Sequence, residues 1–159
     1  MRKIIFFSII FTIFLFGCSV HKNRYDEKRN ELENSITSTQ KARVTLKDNS
    51  TLLVMVTYLN NLEKFEKNKV DTIALSLYFS DDTKNKSYDE LPKVWINDEE
   101  ASVMKLEKND EVIQFLPSVN SWSNYYLIMG KKDVDLEKLR LNVEIYPSVQ
   151  ALLTLQKDF

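Results

Sequence analysis

The chain has 159 residues, with 22 Lys and Arg against 23 Asp and Glu, and a formal net charge of −1. A length of this order suits one domain with short extensions, and the lack of a basic excess argues against a nucleic-acid surface. One cysteine, one histidine and two glycines argue against a disulfide framework, a zinc cluster and the glycine-rich phosphate loops.

The chain opens with a positive pair, Arg2 and Lys3, followed by an apolar run from Ile4 to Phe16 broken only by Ser8 and Thr12. The run ends in Leu15-Phe16-Gly17-Cys18, after which the sequence turns polar. A basic start, a short apolar stretch and a small residue before the cut are the parts of a secretory signal. The run is shorter than the roughly 20 apolar residues of an ordinary spanning helix. Leu15-Phe16-Gly17-Cys18 resembles the lipobox of bacterial lipoproteins, and the resemblance covers this leader alone. It implies that residues 1–17 are removed, and that Cys18 becomes the first residue and carries lipid on its sulfur and its amine. Two or three acyl chains hold a protein stably at a membrane, where a single chain is marginal at about 0.8 kcal/mol per buried methylene. The resemblance also implies sorting to the outer membrane rather than the inner one, because Ser19 and not aspartate follows Cys18.

Residues 18–35 read as the lipidated cysteine and a flexible polar tether. Part of it can be helical, since Asp26-Glu27-Lys28 and Glu31-Leu32-Glu33 are tolerable helix formers, but Val20, Tyr25 and Leu32 are the only sizeable apolar side chains between Ser19 and Ser35, too few for a stripe that docks. His21, the sole histidine, falls in this spacer. A domain is expected over 36–159.

From Ile36 the apolar period becomes two, the signature of a strand with one wet face. Ala42, Val44 and Leu46 are followed by the turn chemistry of Asp48-Asn49-Ser50, then by Leu52, Val54, Val56 and Tyr58. A three-residue loop over 48–50 places Leu46 opposite Leu52, Val44 opposite Val54 and Ala42 opposite Val56. Asn60 to Asn68 reads as a short helical turn capping one end, with Leu62 and Phe65 three apart. Val70 to Ser80 is a strand with Ile73, Leu75, Leu77 and Phe79 on one face. A charged loop spans Asp81 to Glu90. Short strands are expected at Val94–Ile96, Val103–Leu106 and Val112–Phe115, separated by Asn97-Asp98 and Asn109-Asp110 turns. Trp122 to Met129 is apolar on nearly both faces, as a central strand is. Asp133 to Lys138 reads as one helical turn or a tight crossover. Leu139, Leu141, Val143 and Ile145, then Val149, Ala151, Leu153 and Leu155, all fall on odd numbers. A three-residue turn over Tyr146-Pro147-Ser148 pairs Ile145 with Val149, and a strand changing sheets at Pro147 fits as well.

The expected fold is therefore all-β: an immunoglobulin-like antiparallel sandwich of about seven to nine strands, without the cysteine pair of antibody domains. No internal repeat and no helix long enough for a parallel crossover is visible.

The chemistry is reached by elimination. Histidine is the commonest general base, and His21 lies in the tether with nothing near it in sequence to build a triad. No cofactor and no metal site is expected. The loop carboxylates Asp81-Asp82, Asp89-Glu90 and Asp98-Glu99-Glu100 lack the spacing of a calcium-binding loop. Trp122 and Tyr126 share a parity within one strand and form a candidate binding pair, because exposed aromatics stack on sugars or anchor protein partners. Core packing is the competing use of the same side chains. The expectation is a non-enzymatic binding or structural module in the cell envelope. Acyl chains on Cys18 would hold it to the membrane, its partner would be another envelope protein, and it would not bind nucleic acid. The alternative is a small-ligand or glycan binder using Trp122 and Tyr126, with a carboxylate-dependent hydrolase third.

Overall fold

The computed structural model describes residues 29–81, 90–132, 135–145 and 149–157. The expected leader, Cys18 and His21 lie outside them, as do the 146–148 turn and most of the 81–90 loop. The chain divides into two compact units, Met1–Glu31 and Leu32–Phe159. The second unit begins with the last turns of a helix that ends at residue 37. Ser35, the last residue of the expected spacer, is buried, and its hydroxyl donates to the carbonyl of Phe115.

The rest of this unit is an all-β sandwich. Strands β1 (Thr39–Thr45), β2 (Thr51–Tyr58), β3 (Val70–Phe79), β7 (Asn124–Lys131) and β6 (Ser102–Leu106) form one sheet in that order. Strands β5 (Glu99–Glu100), β4 (Lys93–Ile96), β8 (Lys138–Ile145) and β9 (Val149–Gln156) form the other. Every pairing is antiparallel. With β1 set aside, the orders 2-3-7-6 and 5-4-8-9 reproduce the A-B-E-D and C′-C-F-G orders of an immunoglobulin-like sandwich. β1 is an added strand beside the first of these.

Strand alternation builds the core. Leu52, Val54 and Val56 of β2, Ile73, Leu75 and Leu77 of β3, and Tyr126 and Ile128 of β7 meet Val94 of β4 and Leu139, Leu141, Val143 and Ile145 of β8. All of these are fully buried. β8 and β9 pair as the three-residue turn predicts, Ile145 with Val149 and Val143 with Ala151.

The β1–β2 hairpin keeps the expected face but not the expected register. Val44 lies opposite Leu52 and Ala42 opposite Val54, two residues from the pairing read from sequence. The loop is Lys47-Asp48-Asn49, closed by bonds between Leu46 and Ser50 and between Asn49 and Leu46. Asn49 adopts φ 64°, the left-handed position that ends a three-residue hairpin loop. A slip of two residues is one full side-chain period, so it leaves the same residues facing inward. The β4–β5 turn is tighter. Asn97 and Asp98 both have positive φ, 50° and 71°, as a two-residue hairpin loop of mirror-image type requires.

One expected strand is absent. Residues 112–115 lie in a 3-10 helix, Glu111–Phe115, not in a strand. Ile113 and Leu116, both buried in a second cluster with Leu59, Leu62, Ala74, Leu106 and Tyr125, explain why. Side chains three apart eclipse in a 3-10 helix, whereas a strand would send them to opposite faces. The 107–123 connection between β6 and β7 thus covers the outer face of the first sheet. Phe65, from the turn after the 3-10 helix Leu59–Asn61, packs edge-on against Phe115 with ring centroids 5.3 Å apart. Lys64 sits 5.0 Å above the Phe115 ring and 2.8 Å from the Glu111 carboxylate. That hydrogen bond, with the lysine's charge, holds the exposed Glu111 carboxyl below its usual range.

A polar junction joins the two sheets at one end. The Tyr58 hydroxyl donates to Asp71 Oδ1 at 2.7 Å, and Lys157 Nζ lies 3.2 Å from Asp71 Oδ2. The Asp71 side chain is 0% exposed and that of Lys157 4%. Tyr58 and Asp71 belong to the first sheet, and Lys157 follows β9 of the second. Nearby, the Asn60 side chain donates to the Val70 carbonyl and accepts from the Thr72 amide, at 2.9 and 2.7 Å. Burial, and then the Asp71 carboxylate, push the Tyr58 hydroxyl well above its ordinary range.

Two measurements check this junction. Lys157→Met strands a buried carboxylate, and urea unfolding of the full chain should show a loss of about 3–5 kcal/mol. Pairing Lys157→Met with Asp71→Leu should recover most of that loss, and equal costs for the single and double variants would refute the pairing. The second measurement is pH dependence. In the fold Tyr58 stays protonated where an unfolded tyrosine ionises, near pH 10. Its contribution is full below that pH and is lost as pH rises above it. Melting temperature should fall steeply above about pH 10, and less steeply in Tyr58→Phe.

Candidate functional site

The aromatic pair read from sequence is split by the fold. β7 begins at Asn124, so Trp122 precedes the strand while Tyr126 lies within it. Tyr126 is 0% exposed and packs in the main core, whereas Trp122 is 61% exposed. The two do not form a shared platform. Parity does not extend to Trp122, because alternation applies only inside the ladder, which starts two residues later.

Trp122 sits instead on a firmly held loop. Asn120 Oδ1 accepts from the amides of both Trp122 and Ser123, at 2.9 and 2.8 Å. This side-chain-to-backbone turn is a common use of asparagine. The Tyr125 hydroxyl, inward of the same loop, accepts from the Asn120 amide at 2.8 Å and donates to its carbonyl at 3.1 Å. The Tyr125 ring is 1% exposed and anchored in the second cluster. Lys108 Nζ donates to the carbonyl of Ser121. The main chain on both sides of the indole is therefore fixed to the sandwich while the indole itself faces solvent. Val119, 52% exposed, lies on the same loop. Alternation puts Tyr125 on the face opposite Tyr126, and nothing in the pattern marks its hydroxyl as a loop anchor.

A second concave region lies at the β4–β5 end. It is a cleft of about 490 Å³, lined in part by Asn97, Glu99, Glu100, Gly130, Lys131 and Lys132. Gly130 explains its shape. A Cβ there would come within 2.5 Å of Ile96 Cδ1, so the missing side chain lets β7 and β4 approach. Lys132 acts as a strut, its ammonium donating to the carbonyls of Glu66 and Asn68 at 3.3 and 3.1 Å. Glu99 and Glu100, from the acidic run singled out in sequence, are exposed. Among the described residues no group of three His, Cys, Asp or Glu side chains could hold a metal ion. The Tyr58–Asp71–Lys157 cluster has the side-chain types of proton-transfer chemistry. With exposures of 2%, 0% and 5%, it is closed to a substrate.

No described helix is long and apolar enough to cross a membrane. Comparison with known proteins finds no matching family model, no matching curated protein and no matching solved structure.

Proposed function

We propose that this chain is a lipid-anchored binding module of the bacterial cell envelope. Acyl chains on Cys18 tie it to a membrane, with the outer membrane favoured by Ser19. The sandwich, in the periplasm or at the cell surface, engages another envelope protein through the Trp122 loop. The observation that carries the contact is an indole 61% exposed on a loop whose backbone is pinned from both sides. Exposing tryptophan to water is unfavourable for a large apolar ring, and tryptophan is enriched among the few residues that dominate interface energetics. A loop fixed in advance loses little conformational freedom on binding. The adjacent exposed Val119 favours an apolar protein contact over a sugar. With Tyr126 in the core, the second ring of a stacking platform is missing.

The full chain, purified in detergent, should capture a specific envelope protein from solubilised membranes. Trp122→Ala should weaken that capture by about 2 kcal/mol or more, roughly thirtyfold, without lowering the melting temperature. Glycan binding that depends on Trp122, with no protein captured, would replace this reading by the sugar-binding one. The anchor has a separate test. Cys18→Ala should move the protein out of the membrane fraction or leave its leader uncut, and unchanged attachment with normal processing would rule out lipid on this sulfur.

A further inference from the structure

The two outer faces of the sandwich differ. The first sheet is roofed by the 107–123 connection, whereas the four strands of the second sheet carry a row of side chains across its outside. Cross-strand register sets that row as Glu100, Trp95, Asn142 and Leu152. Leu152 is 78% exposed, the most of any large apolar side chain among the described residues. An apolar side chain of this size open to water gains from being covered.

We propose that the cover is a second copy of this chain, packed face to face about a two-fold axis along this row. The charges on either side of the row favour this pairing. On one side lie Lys93 and Glu144, paired across β4 and β8. On the other lie Arg140 of β8 and Asp98 of the β4–β5 turn, joined by an exposed ion pair of 2.9 Å. A two-fold along the row reflects one side onto the other while keeping each strand over its own copy. Glu144 then meets Arg140 of the second copy, and Lys93 meets the turn that carries Asp98. On the axis Asn142 meets Asn142 and Leu152 meets Leu152, so the exposed leucine is covered by its own copy. Such a self-complementary patch is what an isologous two-fold interface requires. The 22 residues of β5, β4, β8 and β9 cover roughly 350 Å² per copy from strand spacing and rise. That is well under the standard size of a specific interface, so the dimer should be weak and concentration-dependent.

Charge reversal tests the arrangement. Within one chain Arg140 and Glu144 stand about 13 Å apart along β8, too far to pair, so any rescue between them must act across copies. In sedimentation of the full chain in detergent micelles, wild type should show a reversible dimer. Arg140→Glu or Glu144→Arg alone should weaken it at least tenfold, and the double reversal should restore it. Trp122→Ala should leave it intact, which separates this interface from the partner contact proposed above. A wild type that stays monomeric across the micromolar range, a double variant as weak as the singles, or dissociation by Trp122→Ala would overturn the proposal.

Discussion

A carboxylate with no access to water sits near the start of the longest strand, and the way its charge is met constrains both sheets. Asp71 faces inward on β3, as Ile73 and Leu75 do. A buried charge is tolerated only with a partner and hydrogen bonds. Tyr58, closing β2, and Lys157, just past β9, supply them. These side chains reach Asp71 only if β2, β3 and β9 hold their present registers. A slip of β9 by one residue would pull the ammonium away and turn Leu153 and Leu155 to solvent. The apolar core gives most of the stability, and the ionic junction ties its two halves into one alignment.

All three members of that junction obey a rule already visible in the sequence. Tyr58 continues the even-numbered series Leu52, Val54 and Val56. Asp71 precedes the odd series beginning at Ile73, and Lys157 extends the odd series that ends at Leu155. Alternation therefore marks where each points. It does not say that an aspartate and a lysine distant in sequence converge, because that depends on which strands end up facing across the sandwich. The same distinction explains the rest. The sandwich, its β8–β9 register and the parity of nearly every core residue are local properties of strands. The two-residue shift in the first hairpin turned on the left-handed backbone of Asn49. The 3-10 helix at 111–115 turned on an outer sheet face that needed covering, which no local period reveals. At the candidate site, the exposure of Trp122 and the burial of Tyr126 follow from where the β7 ladder begins. The clamp on Asn120 is a tertiary contact that no spacing announces.

The 107–123 connection unites two roles. Its apolar residues, Ile113 and Leu116, close the second cluster over β3 and β7. Its last residues hold Trp122 in place through Asn120 and Tyr125. Recognition surfaces commonly sit on loops held by a rigid scaffold, and here covering the sheet and holding the loop fall to one segment. Two edges of the sandwich, β6 and β5, are guarded as well. β6 is the outer strand beside β7, and Lys105, opposite the core residue Tyr126, places a charge on its inward side. Inward charges and very short strands such as β5 discourage edge-to-edge growth.

Strand order also sets a timetable. β1, β2 and β3 are consecutive and can pair as soon as they are made, but the other side of β3 belongs to β7. β7 arrives only after the second sheet has begun with β4 and β5 and after the long connection that follows β6. A chain emerging from its N-terminal end therefore holds out its most apolar strand with one ladder unfilled. Late, long-range pairing of this kind slows folding and leaves intermediates prone to aggregate. The vulnerable interval in this protein's life is the one between the synthesis of β3 and that of β7, and helpers that shield nascent chains would have most to do there.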